Sequence, residues 1–380
     1  MNFLRLVIRS WQFHASKHLA VVLGVLAATA VLTGALVVGD SVRQSLRDLT
    51  LDRLGRIDHL LLVDRFFREE LAGELAKTPV FEKDFASAVP AIIIPTATAE
   101  LPREKSRALA AGVTLVAADQ AFWDMNKPAA KKVEAPQEGE VILNAALAEE
   151  LRAKVGDTLI LRMAKATQVS ADSPLGKKDD RLTSLAELKV REIIPAEGLG
   201  RFSLHPMQTA PKNAYVGLAP LQATLEQEDK VNAILIAAQD EARGLSPELS
   251  ERLQAALQPT LGDHGLAIKH VELNYEADGE SHAVINYFSL TTNRMLLDDE
   301  TVVTALAAFE EHEPYPVLTY LANSIDKIGA PEGTKGVPYS TITAIDAEPD
   351  GPLVDEDGKP LPDLKDEEIA ITNGWPAIRT

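Results

Sequence analysis

No cysteine occurs among the 380 residues. That excludes disulfides, thiol nucleophiles, Cys-ligated zinc and iron–sulfur clusters together. It leaves the redox compartment open, because a large core needs no covalent staples. Basic charge is scarce as well: 38 Lys and Arg stand against 56 Asp and Glu, a net −18. General nucleic-acid binding wants the opposite balance, so no nucleic acid is expected as a partner. The familiar catalytic spacings are missing. Gly176 is followed by Lys177 and Lys178, but a phosphate loop's upstream glycine and its Ser/Thr are absent. G-x-S-x-G, H-E-x-x-H and EF-hand patterns do not occur. Gly198 and Gly200 lack the third glycine of a dinucleotide loop. No catalytic, cofactor-binding or metal-binding residue is therefore expected, and the chain is not read as an enzyme. Asp263, His264 and His270 come nearest to a ligand set, but their spacing suits neither a helix face nor a known metal site. Arg201, His205 and Tyr215 line a pocket only if the fold brings them together.

What is present is a charge asymmetry around one long apolar run. Hydrophobic content of 46% and charged content of 25% are those of a folded chain. Residues 1–39 contain Arg5, Arg9 and Lys17 and no acid, a charge of +3, so residues 40–380 carry −21. Residues 19–38 hold no charge at all, and as a helix would span about 30 Å, a bilayer's hydrocarbon thickness. A cleaved signal peptide usually has a shorter apolar region. A buried soluble helix would show a polar face, and this one has none. The positive flank predicts a cytoplasmic N-terminus and an extracytoplasmic location for residues 40–380, at the cell inner membrane.

Three patterns surround this span. Residues 1–18 read as an interfacial amphipathic helix, with Arg5, Arg9, Trp11 and Lys17 at the membrane interface. Within 19–38, Gly24 and Ala28, and Ala30 and Gly34, are small pairs four apart that let membrane helices pack closely; ordinary Ala/Gly abundance accounts for them equally well. Residues 39–57 read as a stalk helix, with Val42, Leu46 and Leu49 at helical spacing and Gly55 as its C-cap.

Residues 58–343 read as a mixed α/β head of about two subdomains, which makes the chain α+β with one N-terminal transmembrane helix. Strands are expected at 59–63, 88–99, 110–117, 158–163, 188–194, 214–217, 231–237, 269–275, 282–290 and 316–321. Asp64 is expected to cap a helix carrying Phe67, Leu71 and Leu75. Pro90 and Pro95 predict that 88–99 is an edge or interrupted strand. Helices are expected at 218–227, 247–261 and 301–310, the last with Asp298, Asp299 and Glu300 at its N-terminus. The clearest unit is 140–162: strand, Asn144 as N-cap, helix at 145–153, a Gly156-Asp157 turn, strand. Residues 165–180 read as an exposed loop and 344–367 as an acidic Pro-rich linker. At 368–380 a strand unit begins whose DEEIAITN echoes EGEVILN at 138–144 and stops early.

The segment GEVILNAALAEELRAKVGDTLILR at 139–162 resembles the extracytoplasmic core domain of MacB/FtsX-type ABC transporter permeases. LTGALVVGDSVRQSLRDLTLDRLGRID at 32–58 and PVLTYLANSID at 316–326 are similar to other parts of that group. The resemblance covers most of residues 1–345, and its motifs are structural rather than catalytic. It implies a permease subunit that works as a dimer with a second permease subunit in the lipid bilayer, and with a cytoplasmic ABC ATPase. ATP hydrolysis there would be coupled by mechanotransmission to movement of a lipoprotein, peptide or drug. The family usually has four membrane helices; this sequence shows one, so a partial chain is expected. The alternative is a single-span, membrane-anchored extracytoplasmic binding or scaffold protein without transport activity. An exported hydrolase is the third reading, without a nucleophile motif to support it.

Overall fold

The computed structural model describes residues 3–104, 106–127, 132–164, 182–205, 209–240, 246–277, 280–292, 297–326, 328–329, 331, 336–345, 364–365 and 368–370, with backbone alone for 273–277 and 280–285. The chain falls into two compact units, Met1–Met295 and Leu296–Thr380. The division lies inside residues 58–343, the stretch expected as a head of about two subdomains.

The first unit opens with α1 (Phe3–Phe13) and, after a break at His14, α2 (Ala15–Leu54). The expected span and stalk are one continuous helix of 40 residues, about 60 Å at 1.5 Å per residue. Among the described residues it is the one helix long and apolar enough to cross a membrane. Gly55 ends it as expected, with φ +62° and its N–H donating to the Asp52 carbonyl.

The head then runs β1 (His59–Arg68), α3 (Glu70–Ala76), α4 (Pro79–Asp84), β2 (Phe85–Arg103), β3 (Ser106–Ala117), α5 (Gln120–Asp124), β4 (Glu140–Asn144), α6 (Ala145–Leu151), β5 (Thr158–Ala164), β6 (Leu182–Ile194), β7 (Asn213–Val216), α7 (Leu218–Leu225), β8 (Lys230–Ala238) and α8 (Pro247–Ala256), and closes with the hairpin β9 (Leu266–Ala277) and β10 (Glu280–Thr292). Eight strands form one sheet in the order β1-β8-β2-β3-β7-β4-β6-β5, and β5 pairs back onto β2. The last pairing closes β2, β3, β7, β4, β6 and β5 into a ring of hydrogen-bonded neighbours, which removes their free edges.

Both faces of this sheet are covered, so its strands are apolar at successive positions. In β8, Val231, Ile234 and Ile236 enter one core with Leu71, Phe81, Leu147, Leu221 and Leu253 of the helices. Ala233, Leu235 and Ala237 enter a second core with Ile57, Phe122, Trp123, Leu199 and Phe202. The end of α2 meets the head on this second face.

Several expectations are corrected. The strand from His59 does not stop at Asp64; it re-pairs with β8 at Phe67 and Arg68 after an irregularity, and the following helix begins at Glu70. Phe67, Leu71 and Leu75 still share one core. The 88–99 strand is interior rather than an edge: β2 pairs with β8 through Phe85 to Ala91 and with β3 from Ile92 on. Its register does shift between Ile94 and Ala97, around Pro95. The change of partner is bridged by a side chain, since Asn232 Oδ1 accepts the Ile93 N–H and its Nδ2 donates to the Ile93 carbonyl, at 2.8 and 2.9 Å. The 247–261 helix ends at Ala256, because Thr260 turns into a bonded loop with Asp263. The expected 140–162 unit is present as β4, α6 and β5, with the Asn144 side chain accepting the Leu147 N–H at 3.0 Å.

The second unit contains α9 (Asp299–Ala308) and an antiparallel pair, β11 (Val317–Ile325) and β12 (Val337–Ile345). Asp298 caps α9 by accepting the Thr301 N–H at 2.9 Å. Strand β12 was not expected, and Ala344 and Ile345, assigned to a linker, belong to it. The rest of the linker except 364–365, the 165–180 loop and residues 371–380 lie outside the described residues. Residues 368–370 carry no strand pairing among the described residues; the Glu368 N–H donates instead to the Lys365 carbonyl.

Candidate functional site at the joint between helix and head

The last turn of α2 is locked to the head by groups spread over 150 residues of sequence. Arg53, only 7% exposed, donates from Nη1 to the His205 carbonyl at 3.1 Å and from Nη2 to Thr50 Oγ1 at 3.2 Å. Asp52 Oδ2 accepts the Gly198 N–H at 3.2 Å. The Arg56 N–H donates to the Met125 carbonyl at 2.8 Å, and the Asp58 N–H to the Ile236 carbonyl at 2.9 Å. A half-exposed ion pair between Lys127 and Asp52 at 3.9 Å adds little. Two glycines permit the close approach. A Cβ on Gly55 would stand 2.7 Å from the Met125 carbonyl oxygen, and one on Gly198, at φ +51°, 2.5 Å from Asn126 Oδ1.

Beneath this contact, three buried polar side chains grip residues 199–202 and 211–213. Asn144 donates to the carbonyls of Gly200 and Pro211, at 3.0 and 2.6 Å, and accepts the Asn213 N–H at 3.1 Å. Asn213 donates to the Phe202 carbonyl and the Tyr215 hydroxyl, both at 2.8 Å. The Tyr215 hydroxyl donates to the Leu199 carbonyl. Burial pushes the Tyr215 phenol far above its ordinary pKa, against the Asn213 hydrogen bond, so it stays a protonated donor. Phe122, Trp123, Phe202 and Tyr215 pack around these bonds with ring centroids 4.9 to 6.1 Å apart. Buried, mutually bonded polar groups of this kind make a segment rigid. The arrangement has the chemistry of a mechanical joint: its donors are spent on neighbouring carbonyls and hydroxyls, and Asn213 Oδ1 is left as a buried acceptor without a partner among the described residues.

The membrane-proximal residues singled out from sequence are placed along the helices and not gathered into a site. Arg5, Arg9 and Trp11 lie on α1; Lys17, Gly24, Ala28, Ala30 and Gly34 lie on α2. Nothing approaches within 4 Å of a Cβ built at Gly24 or Gly34. Val42, Leu46 and Leu49 follow one another on α2 and are about half exposed. Arg201, His205 and Tyr215 do come into one region, but as parts of the joint: Tyr215 is buried and His205 contributes its carbonyl.

The Asp263–His264–His270 set is divided among structural tasks. Asp263 accepts from Arg68 Nη2 at 2.9 Å, from the Arg68 N–H at 3.1 Å and from the Thr260 N–H and hydroxyl at 2.8 and 2.9 Å. Burial opposes its ionisation, yet these bonds outweigh it and hold the carboxyl at about 2. Arg68, also bonded to Glu74 at 3.0 Å, is raised above its ordinary value by Glu74 and then Asp263. His264 Nδ1 meets Arg65 at 3.2 Å, and His270 meets Asn286 at 2.8 Å. The joint residues Asp52, Arg53, Asn126 and Asn213 escaped sequence reasoning; the one local signal was the Gly198-Leu199-Gly200 run.

No protein-family model matches the sequence, and no curated protein matches it. Among solved structures, the chain is similar to the periplasmic region of MacB from Actinobacillus actinomycetemcomitans, with 11% identity and a TM-score of 0.31, covering 63% of this chain and 83% of that one.

Proposed function

We propose that this chain is the membrane-anchored permease subunit of an ABC transporter of the MacB/FtsX type. On this reading α2 crosses the cell inner membrane from a cytoplasmic N-terminus, and residues 40–380 are extracytoplasmic. A cytoplasmic ABC ATPase hydrolyses ATP, a second permease subunit completes a dimer, and the chain itself catalyses nothing. Motion of α2 passes to the head, which moves a lipoprotein, peptide or drug.

The observation that carries the reading is the joint. A helix that only tethers a head is adequately served by a flexible linker. Here α2 continues as helix to Leu54 and is fastened within five residues to Gly198, His205, Met125 and Ile236. The sequence likeness of 139–162 and the +3 flank of the span support the same assignment. A second reading, a single-span anchored binding or scaffold protein, is favoured by α2 being the one membrane-length helix among the described residues.

Purification of the full chain from its native membrane in mild detergent separates the two. The transporter reading expects a co-purifying ATPase whose hydrolysis changes severalfold with the chain present, and Gly55→Val to abolish that change while co-purification persists. A monodisperse chain with no ATPase overturns it in favour of the scaffold. For orientation, a phosphatase fused after residue 60 is expected to be active; an inactive fusion beside an active cytoplasmic reporter reverses the topology.

A further inference from the structure

The head carries a second feature that the joint does not use. α6 starts at the joint, with Asn144 as its cap, and ends beside an open cleft of about 670 Å³, a size typical of small-ligand sites. The apolar part of the lining that reaches solvent is Pro102 of β2, Ile160 of β5 and Ala186 of β6, while Leu101 lies buried in the core behind it. The rim carries Arg103, Arg152 and Lys154, three cations converging in a region of net charge −21.

These cations are poised rather than spent. Arg103 is anchored by one nitrogen, Nη2, which donates to the carbonyls of Leu151 and Arg152, both at 3.0 Å. The rest of its fork, the Arg152 guanidinium and the Lys154 ammonium have no hydrogen bond or ion pair among the described residues. The backbone around them is strained as well. Arg152 closes α6 at φ +51°, where glycine is usual. Glu187 lies at φ +58° on a bulge: Leu185 pairs with Leu161 and Leu188 with Leu159, so Ala186 and Glu187 oppose the single Ile160. Strained residues and bulges concentrate where a side chain is aimed at a ligand, and two of the six positive-φ non-glycine residues described line this one cleft.

The carboxylates narrow the ligand class. Asp157 is engaged, its Oδ2 accepting the Lys154 N–H at 2.8 Å. Glu187 remains on the rim as a negative charge that disfavours a polyanion. We infer that the cleft binds an anionic amphiphile: one carboxylate or phosphodiester, held by Arg152, Lys154 and the free donors of Arg103, on an acyl chain lying over Pro102, Ile160 and Ala186. This goes beyond the transport reading and does not depend on it.

The test is calorimetric titration of the full chain in neutral maltoside micelles, with laurate in one arm and lauroyl lysophosphatidylglycerol in the other. Saturable one-site binding is expected. Laurate alone identifies a fatty carboxylate, the lysolipid alone a lipid headgroup, and both the shared chemistry; affinity is expected to fall with added salt. Arg152→Gly relieves the positive φ, so thermal stability is expected to hold or rise while affinity drops about tenfold, and Lys154→Gln is expected to weaken binding about fivefold. Lys83→Gln on α4 serves as the control and is expected to leave affinity unchanged. The assignment is overturned by an absence of saturable binding in both arms, by equal affinity for zwitterionic lauroyl lysophosphatidylcholine, or by unaltered binding in both cleft variants. Should Arg152→Gly lower stability, Lys154→Gln, at an exposed and unpartnered side chain, decides.

Discussion

Leu143 of β4 and Leu318 of β11 are the same side chain in the same kind of element, yet Leu143 is fully buried and Leu318 is 46% exposed. The contrast extends to the two units around them. Met1–Met295 contains the eight-stranded sheet and two cores, one built from residues between Phe67 and Leu253 and the other from residues between Ile57 and Ala237. In Leu296–Thr380 no described residue is buried, although α9 and the β11–β12 pair are regular and neither strand carries a charge. Local pattern suffices to make a helix or a strand; burial needs a second layer, and among the described residues only the first unit supplies one.

The comparison is tested hardest at Asn144, a fully buried polar group. Asn144→Ala removes the α6 cap and leaves the Gly200 and Pro211 carbonyls and the Leu147 and Asn213 N–H groups without their bonds. A loss of about 4 kcal/mol is expected in urea unfolding of the first unit. A loss under 1 kcal/mol would show that the joint is not held from beneath. Leu143→Ala is expected to cost about 3 kcal/mol through transfer and cavity terms.

Next comes the acid limb. Asp263 sits at about 2 in the folded chain and near 3.9 in the unfolded one. As pH falls, the unfolded state takes up this proton first. The stabilisation is complete above about pH 5 and is lost between about pH 4 and pH 2, amounting to about 2 kcal/mol. Asp263→Asn is expected to be less stable at neutral pH and to lack this part of the acid slope; a slope equal to that of the parent refutes the Arg68–Asp263 clamp. The smallest effect closes the comparison: Leu318→Ala is expected to change stability by less than about 0.5 kcal/mol. A cost near that of Leu143→Ala would mean that β11 is covered in solution.

Much of this was legible before any coordinates. The apolar run, the Gly55 stop, the Asn144 cap and the strand–helix–turn–strand unit at 140–162 depend on neighbours within a few residues, and each has a local signature. The misreadings have a common cause. β2 was expected as an edge or interrupted strand because its prolines break local pairing rules; it is interrupted at Pro95, but it is no edge, since the fold gives it β8 up to Ala91 and β3 from Ile92 and bridges the change with Asn232. Asp263 came nearest to a ligand set, a reading set aside on its spacing, while its actual partner Arg68, 195 residues away in sequence, was invisible. β12 was overlooked because Pro338 and its Ser/Thr residues give it no apolar alternation. The joint itself was legible only as Gly198-Leu199-Gly200, since Asp52, Arg53 and Asn126 look like ordinary surface residues until α2 ends against them.

Sequence alone determined what a short stretch of chain decides through its own chemistry: a charge-free run too apolar to prefer water, a positive flank before it, an acidic region after it, and the caps and turns of single elements. Tertiary structure alone decided which strand closes the ring, where α2 is fastened, and which cations are left without partners. Those outcomes depend on groups brought together across tens to hundreds of residues, and the free energy of such contacts belongs to the pairing and not to either residue.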